Sequence, residues 1–590
     1  MRLLNIIQPI IERTRRMLIE MQDKETGRWI GEINYNLWDT AVYILTLKYL
    51  GKCKYYKDNI NRAILALIRY QQNDGSWGII DEPSPPELNV TLLSKLALEL
   101  ALEELVPINI RSRVLSSIKK AEDFLRRKGD IGKLLNTSEF FTQIIYALFG
   151  KFGWNDIDFP PMKLTDVLNL LFNISIGGKG LPGWVRATFP QVLYVYLKNI
   201  NFSDLFKELS KKVILKYLKK IILLNQLPDG SWFTHLGDVF GTISLKIMGY
   251  EDSIHMRMVI DNLNKKLDKT GYVHGFRLPV WDTSLSLIAL VESGLDQDHI
   301  AIARARKYIL FAQGRRGGWA FNPYLSNKFP DCDDTALAIW ALRKAGVNIN
   351  EKCLQKGVRW LLKMQSRNGG WAAFEKNQSI KPPGAMPSYY EYPLIQLEDP
   401  PTADVTGHVL SALGQVGFTI SDKPVKKATD FLRADQTECG AWWGRWGNCY
   451  IYGTCCVLMG LRAVKENMKK SYVKKAVEWL KSKQNEDGGW GESYNSYFRY
   501  EFAGEGESTP EHTAWAILSL LSAGEDPTSY TIQKGISYLV KTFNPERGWS
   551  SSLNAAAFEV GRYKIYSLVF PLMALSFFIR RHGGSNHEDR

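Results

Sequence analysis

One repeated pattern restricts what this chain can fold into more than any other feature. An amphipathic helix is followed by Gln, by a few polar residues and then by Gly-x-Trp. Polar residues and Gly end such a helix in a tight turn, over which the Trp ring can pack. Because a single unit cannot bury its apolar face alone, neighbouring units must stack. The copies are QDKETGRW (Gln22 to Trp29), QNDGSW (Gln72 to Trp77), QLPDGSW (Gln226 to Trp232), QGRRGGW (Gln313 to Trp319), QSRNGGW (Gln365 to Trp371), QTECGAW (Gln436 to Trp442), QNEDGGW (Gln484 to Trp490) and the variant FNPERGW (Phe543 to Trp549).

Apolar helical segments separate these copies, and alternating β-branched runs are scarce. Examples are DDTALAIWALRKAG (Asp333 to Gly346) and GTCCVLMGLRAV (Gly453 to Val464). The chain is therefore predicted to be all-α, with helix pairs that run as an open solenoid or close into a ring. Its 590 residues exceed one compact domain. Its 18 Trp are enough to line a large apolar cavity or to pack the repeats.

Charge and cysteine content limit the setting in which the protein works. The formal net charge of +14 favours anionic membrane surfaces or nucleic acid. We find no nucleic-acid-binding motif, so nucleic acid is not an expected partner. The seven cysteines include no CxxC pair, which is typical of a reduced cytoplasmic protein without structural zinc. No stretch approaches 18 uninterrupted apolar residues, so no membrane-spanning helix is predicted.

The repeats together with several further segments resemble the squalene-hopene cyclases and their relatives, the class II terpene cyclases. The resemblance extends over almost the whole chain and follows the order of the family's motifs. The matching segments are the acidic motif Asp331-Cys332-Asp333-Asp334-Thr335, PGWVRAT (182–188), PVWDTSLSLIAL (279–290), GGWAF (317–321), DPPTADVTGHVL (399–410), GRWGNCYIYGT (444–454) and GESTPEHTAWAI (506–517).

This resemblance implies two α/α (α6–α6) barrels in a dumbbell, with a large apolar cavity between them. It places one inserted barrel at 20–271 and the barrel with the acidic motif at 1–19 plus 272–580, followed by a disordered tail at 581–590. It also implies a monotopic protein at the inner face of the cell membrane, a lipid-like polyprene substrate, a possible homodimer and no cofactor.

The acidic motif suits the protonation of an alkene, which needs a strong acid in a dry place. Clustered carboxyls keep one of their number protonated, and a nearby imidazolium makes that acid stronger. The alternative is that Asp331, Asp333 and Asp334 only cap the helix that follows them. The resemblance implies that Asp333 is the proton donor, with His408 as its activating partner and Asp404 orienting His408. It also implies that Tyr452 returns the proton through water.

A carbocation must be steered and kept from water, and aromatic faces do both. By matching segments we expect Trp281, Phe321, Phe374 and Trp446 to take this role, with Trp184 in the other barrel. Tyr563 and Tyr566 are further candidates. The Trp residues of the repeats are instead expected to pack helices. No Asp, Glu or His spacing indicates a metal site.

The far end of the expected cavity departs from the hopene-forming pattern. Hopene-forming members carry glutamates in the inserted barrel, at positions where this chain has Thr40 and Leu93. Phe374 replaces a usual Tyr, and the segment AFEKN around it resembles relatives that act on C35 polyprenes. The acidic motif is not the Asp-Cys-Thr-Ala-Glu type of oxidosqualene cyclases, so an epoxide substrate is not expected. The start of the reaction therefore looks intact and its termination altered.

Several functions remain open on the sequence alone. The first is cyclisation of squalene or a related linear polyprene. Others are cyclisation of a C35 polyprene, of a prenylated aromatic or, with no acidic Mg²⁺ site evident, of a polyprenyl diphosphate. A non-catalytic helical-repeat binding protein would place polar residues on its concave face and would not need Asp333. A prenyltransferase subunit would need zinc ligands, which are not evident.

Overall fold

The computed structural model describes all residues except 1, 32, 35–36, 79–85, 104–105, 159–182, 201–204, 378–398, 498, 557–558 and 583–590. The chain forms two compact units, one of Met1–Glu32 with Arg277–Arg590 and one of Ile33–Phe276. The predicted boundaries at 20 and 271 both fall earlier. The first repeat explains the difference at the amino end, because Trp29 binds residues of the first unit: its Nε1 donates to the Leu18 carbonyl and its backbone N–H to Thr283 Oγ1.

The first unit is an α/α barrel. Its six inner helices pack in sequence order into a closed ring, and each has an outer helix against it. The inner helices are Pro279–Glu292, Cys332–Lys344, Ala403–Gln415, Cys449–Ala463, Pro510–Ser522 and Tyr566–His582. The outer helices are Arg2–Met21, Ile300–Phe311, Lys352–Met364, Lys423–Asp435, Ser471–Ser482 and Tyr530–Thr542.

Short elements complete this unit. The strands Leu553–Ala556 and Glu559–Tyr563 pair antiparallel, a hairpin that the all-α prediction did not include. Single turns of 3₁₀-helix lie at Pro323–Leu325, Tyr494–Tyr497 and Tyr500–Phe502. The last helix ends at His582, so it includes the first two residues of the predicted tail at 581–590. The rest of that tail, and most of a long Pro- and Tyr-rich loop expected at 377–401, lie outside the described residues.

The second unit repeats the same pairing of inner and outer helices. Its inner helices are Trp38–Tyr49, Leu88–Leu102, Phe140–Leu148, Gly183–Asn199 and His235–Ile247. The outer layer consists of Lys57–Arg69, Ile108–Lys128, Ile131–Asn136, Leu205–Asn225 and Ile254–Lys266. A two-residue strand, Ile33–Asn34, and a 3₁₀ turn, Trp154–Asp156, are its other elements. The Phe140 and Phe189 rings lie 6.1 Å apart and join two of the inner helices.

Where a complete repeat follows an outer helix, its Gln and Trp hold that helix to the elements that come next. In one copy Gln365 Nε2 donates to the carbonyls of Gly369 and Pro424, 2.8 Å from each. Trp371 Nε1 donates to the Leu361 carbonyl at 2.8 Å, and its backbone N–H donates to Thr406 Oγ1. These contacts satisfy backbone groups that a helix end leaves open. From the sequence, Gln is expected to hydrogen-bond open backbone groups at helix ends, and Trp to pack over the turn. The contacts of Gln365 and Trp371 have this geometry.

Candidate active site

The acidic motif lies where one inner helix of the first unit begins. Asp331 is the N-cap of this helix, which we name the acid helix (Cys332–Lys344), and its Oδ1 accepts the Asp334 N–H at 2.7 Å. Thr335 Oγ1 receives the backbone N–H of Trp319, so a repeat fixes the start of the helix. The capping role considered from sequence is therefore real for Asp331. The Asp333 carboxyl takes no part in this cap and is available for another partner.

Burial and mutual repulsion keep protons on two carboxyls of the motif. Burial raises the pKa of Asp331 well above its ordinary value, although the backbone N–H groups of Asp334 and Phe321 partly oppose this. Burial, followed by the nearby Asp331 and Asp333, also raises the pKa of Asp334 well above its ordinary value. No lysine or arginine of the described residues forms an ion pair with any of the three. Both shifts favour the protonated form of these two carboxyls.

Asp333 forms a close pair with His408. Its Oδ1 lies 2.7 Å from His408 Nδ1, and both residues are buried. His408 belongs to the inner helix Ala403–Gln415, which we name the histidine helix. Burial by itself lowers the pKa of His408, but the Asp333 carboxylate, the hydrogen bond to it and Asp404 together raise the pKa above its ordinary value of 6.5. A protonated imidazole can thus be held beside Asp333.

No hydrogen bond joins the Asp404 side chain to His408 among the described residues, and the expectation that Asp404 orients the ring stays a prediction. Its Oδ1 accepts from Thr402 Oγ1 and from the Val405 N–H, and its Oδ2 accepts the Trp446 N–H at 2.8 Å. One helical turn separates Asp404 from His408, but the carboxyl caps the amino end of its own helix. Its influence on His408 is electrostatic, and its direct role is to hold the Trp446 backbone.

Tyr452 lies beside the acid pair on the inner helix Cys449–Ala463, which we name the tyrosine helix. Its ring centroid is 6.1 Å from that of His408. Its hydroxyl is buried and has no hydrogen-bond partner among the described residues. Burial raises the pKa of Tyr452 well above its ordinary value, so the phenol stays neutral. The two residues line a small, mainly apolar pocket inside the barrel with Trp340, Trp515, Phe570 and Met573.

Three of the predicted aromatic residues cluster near the acid pair. The Trp281 ring lies 5.7 Å from the His408 ring, and Trp281 Nε1 donates to the Tyr566 hydroxyl at 3.1 Å. Tyr563 stacks on Tyr566 with ring centroids 4.3 Å apart. The structure therefore brings both C-terminal tyrosines together with Trp281, whose ring lies beside His408.

Phe374 and Trp446 form a second aromatic pair, with an edge-to-face contact at 6.0 Å. The Phe374 N–H donates to Asp399, and the Arg445 guanidinium lies 5.7 Å from the Trp446 ring. The Phe321 carbonyl accepts the Val280 N–H at 3.0 Å, which ties its loop to the preceding inner helix, Pro279–Glu292. Trp184 belongs to the helix Gly183–Asn199, but its side chain lies outside the described part.

Two residues of this site had not been singled out. Asp282 follows Trp281, accepts the Gly31 N–H at 2.7 Å and receives a hydrogen bond from the Tyr563 hydroxyl. Burial raises the pKa of Asp282 to about 7, against the effect of these two donors. Its signal in the sequence is the Asp-Thr pair that Asp334-Thr335 repeats. The second is Cys456, whose thiol contacts His408 from a distance of 48 residues and leaves no local sequence signal.

The second unit contains a buried charged cluster of its own. Lys266 Nζ donates to Asp238 Oδ2 at 2.6 Å and to the Gly275 carbonyl at 3.2 Å. Asp39 Oδ1 lies 3.6 Å from His235 Nε2. Burial raises the pKa of Asp39 to about 7, although Lys266 opposes this, while burial and Lys266 lower the pKa of His235 well below 6.5. A lysine thus neutralises carboxylates here, unlike at the acidic motif.

At the two positions where the hopene-forming pattern has glutamates, this chain has residues that pack inside the second unit. Leu93 is fully buried in its core, and the buried Thr40 hydroxyl accepts the Val273 N–H at 3.1 Å. Neither side chain offers a carboxylate for holding water. Within the described part of the chain, no group of three or more His, Cys, Asp or Glu is arranged to hold a metal ion. None of the described helices is long and apolar enough to cross a membrane.

Comparisons with known proteins point to the family that the sequence motifs resemble. Residues 278–580 match the squalene-hopene cyclase C-terminal domain and residues 11–202 the N-terminal domain. The squalene–hopene cyclase of Alicyclobacillus acidocaldarius is 30% identical over 96% of this chain and 96% of its own length. That of Schizosaccharomyces japonicus is 35% identical over 96% and 95%. Among solved structures, ent-copalyl diphosphate synthase from Streptomyces platensis superposes with a TM-score of 0.59 at 17% identity, covering 97% of this chain and 99% of that one.

The helical barrel fold and these relatives define the class of protein, a terpene cyclase that starts cyclisation of a polyprene by protonation. Within that class, the chain belongs to the squalene-hopene cyclase family. The family resemblance stated from sequence motifs and the predicted all-α barrel fold are both confirmed.

Proposed function

We propose that this enzyme cyclises squalene or a related linear polyprene into a polycyclic product, with Asp333 as the proton donor and His408 as its activating partner. The observation that carries this assignment is the 2.7 Å contact between Asp333 Oδ1 and His408 Nδ1 beside two carboxyls that burial keeps protonated. The relatives that match nearly the whole chain are squalene–hopene cyclases, which supports the substrate class.

The geometry supports a defined order of steps. With His408 protonated, Asp333 transfers its proton to a terminal alkene carbon, and the alkene π electrons form the new C–H bond. The resulting cation is attacked by the next double bond, and ring closure repeats. The Trp281, Tyr566 and Tyr563 rings stabilise positive charge near the acid, each by about 0.5–2 kcal/mol. After turnover Asp333 must be protonated again, and Tyr452 with the pocket beside it is suited to pass that proton.

Incubation of purified, detergent-solubilised protein with squalene, followed by GC–MS, tests this proposal. The expected result is a cyclised C30 product that Asp333→Asn does not form. The number of rings reports how the altered far end of the reaction terminates. Circular dichroism of Asp333→Asn must match that of the wild type, so that loss of product reports chemistry rather than unfolding.

A second substrate class follows from the residues at Thr40 and Leu93. Because neither side chain supplies a carboxylate, termination by a bound water held there is not supported. A C35 polyprene or a prenylated aromatic, whose chain end or hydroxyl closes the last ring, would not need that water. These two substrates and a polyprenyl diphosphate form the other arms of the assay. Turnover of one of them without turnover of squalene would replace squalene as the substrate.

We also propose that the protein binds an anionic membrane surface from the cytoplasmic side through the helix Leu205–Asn225, which we name the basic helix. Lys212, Lys216 and Lys220 are exposed along one line of this helix. Beside them Val213 is 57% and Leu224 64% exposed, where apolar side chains would reach the acyl region. Lysines near an anionic surface contribute about 1 kcal/mol each.

Co-sedimentation with vesicles tests this interface. Charge reversal of the three lysines to Glu is expected to lower binding to phosphatidylserine-containing vesicles more than about hundredfold. The matched control reverses Lys423, Lys426 and Lys427, which are equally exposed on an outer helix of the first unit. Equal losses in both variants would mean that net charge alone drives binding. The family also implies a homodimer, which light scattering in detergent checks.

A further inference from the structure

The histidine helix and the tyrosine helix approach each other more closely than side chains normally permit. A Cβ on Gly407 would lie 2.4 Å from the Cys456 carbonyl, and a Cβ on Gly460 would lie 2.4 Å from the Gly407 carbonyl oxygen. Only glycine at both positions allows this contact of backbones. The close approach carries the side chain of Cys456 to the residue that follows Gly407, which is His408.

The Cys456 thiol contacts the ring nitrogen of His408 that Asp333 does not contact. Its Sγ lies 3.2 Å from His408 Nε2, while His408 Nδ1 lies 2.7 Å from Asp333 Oδ1. Both ring nitrogens of His408 therefore have a partner. Cys456 is 4% exposed and His408 9%, so neither contact competes with bulk water.

No other polar group of the surrounding pocket takes this position. The Ser411 hydroxyl donates to the Gly407 carbonyl at 3.1 Å, and the Tyr452 hydroxyl has no hydrogen-bond partner among the described residues. Most of the remaining lining is apolar or aromatic. Among the described residues, the titratable groups around His408 on the helices packed against it are Asp333, Asp404, Tyr452, Cys455, Cys456 and Tyr566.

We propose that Cys456 is a positioning residue for this cyclase: its sulfur accepts the Nε2 hydrogen of protonated His408 and so holds the charged ring against Asp333. The inference rests on the proposed role of His408 as the partner of the acid. No covalent bond to sulfur forms or breaks, and the thiol keeps its own hydrogen throughout.

The chemistry of the two groups explains why a thiol is sufficient. A protonated imidazole carries two N–H donors, and a buried charged donor without a partner is strongly disfavoured. A neutral ring loses less when the thiol is removed, because it then lacks only a weak donor to Nε2. Burial raises the pKa of Cys456 well above its ordinary value, so the thiol does not titrate in the range where His408 does. Removing the sulfur should therefore favour the neutral ring.

A direct titration of His408 tests this inference without reference to substrate. The full-length protein in detergent micelles is labelled with ¹⁵N-histidine, and the His408 ring signals are assigned by their loss in His408→Gln. Cys456→Ala is expected to lower the titration midpoint of His408 by roughly one pH unit, a tenfold change in its protonation equilibrium. Cys456→Ser, whose hydroxyl also accepts a hydrogen bond, should restore the midpoint.

Cys455→Ala is the matched control, because Cys455 is equally buried on the same helix but its thiol lies against Met459 Sδ. Its midpoint should equal that of the wild type. A midpoint in Cys456→Ala that equals that of Cys455→Ala would overturn the inference, because a merely space-filling thiol predicts that result.

The pH profile of cyclisation separates this inference from the proposed function. If squalene is turned over, the alkaline limb should move by the same interval in Cys456→Ala, with KM unchanged and with recovery in Cys456→Ser. An unmoved limb would overturn the role of Cys456 in catalysis even if the titration midpoint shifts. A wild-type protein that cyclises no polyprene would overturn the proposed function, and the titration would still decide whether Cys456 holds His408.

Discussion

Each unit of this protein buries charged residues at the start of inner helices, but the two clusters contain different ions. The acidic motif of the first unit combines three carboxyls with one imidazole. In the second unit Lys266 lies 2.6 Å from Asp238, and Asp39 and His235 lie beside them. Burial raises the pKa of carboxyls in both clusters, but only in the second unit does a lysine oppose it among the described residues. One barrel scaffold therefore holds a carboxyl–imidazole cluster in one unit and a lysine-paired cluster in the other.

The largest expected effect separates the two clusters by chemistry. Asp333→Asn should lower the rate of cyclisation by about 10⁴-fold or more, to below detection, because the amide cannot donate the proton. Asp238→Asn, in the second unit, should leave the initial rate of cyclisation per folded molecule largely unchanged. Initial rates per folded molecule, with folding checked by circular dichroism, measure both. Equal losses in the two variants would break the comparison.

The next largest effect is on the stability of the fold rather than on catalysis, and it is expected in the second unit. Lys266→Met leaves Asp238 buried without its cation, which should lower the free energy of unfolding by about 3–5 kcal/mol. The double variant with Asp238→Asn removes the unpaired charge and should recover part of this loss. Urea unfolding of the second unit, followed by the fluorescence of its Trp residues, measures it. If the double variant is no more stable than Lys266→Met, the lysine stabilises the fold by packing alone.

His408 and His235, one buried histidine from each cluster, should give opposite dependences of stability on pH. The pKa of His408 is raised above 6.5, so its contribution is complete below pH 6.5 and is lost as the pH rises through the folded-state pKa. The pKa of His235 is lowered well below 6.5, so its contribution is present above pH 6.5 and is lost as the pH falls. Each slope is limited to about 1.4 kcal/mol per pH unit.

Unfolding free energies measured between pH 5 and 9 test these signs. His408→Gln should flatten the alkaline side of the profile and leave the acid side, and His235→Gln should do the reverse. A change on the same side in both variants would show that the two imidazoles have similar environments, which would contradict the comparison.

The smallest effect should be the same in both units, because the repeats are built alike. Trp371 and Trp77 are both fully buried, and each donates its indole N–H to a carbonyl at 2.8 Å, of Leu361 and Leu67 respectively. Trp371→Phe and Trp77→Phe should each lower the free energy of unfolding by about 1–3 kcal/mol, since a buried carbonyl loses its donor. Thermal unfolding checks this. A loss in only one unit would mean that the repeat has different roles in the two barrels.

The sequence was most informative where a residue's role is local. The Gln and Gly-x-Trp repeats predict helix pairs because each copy ends its own helix, and Asp331 caps the helix that begins beside it. The orienting role given to Asp404 stays a prediction, but its carboxyl also binds the Trp446 N–H, which was not foreseen. That contact depends on how two helices pack, and the sequence pattern does not specify it.

Long-range contacts account for the other differences. Cys456 reaches His408 only because glycines let two helices touch, and neither glycine indicates by itself which side chain will meet the ring. The hairpin at Leu553–Ala556 and Glu559–Tyr563 is short and lacks a strong alternating pattern, so helical repeats masked it. The lysine of the second unit lies at the end of an outer helix, where Lys is usual, and nothing in its sequence marks it as buried.

The most direct test of the central claim is to follow the initiating proton itself. The protein is exchanged into D₂O, incubated with squalene, and the cyclised product is analysed by mass spectrometry. If Asp333 starts the reaction, the product carries one carbon-bound deuterium in the ring methylene that protonation of the terminal double bond creates, and Asp333→Asn forms no product. A cyclised product without that deuterium, or one formed equally well by Asp333→Asn, would contradict the account.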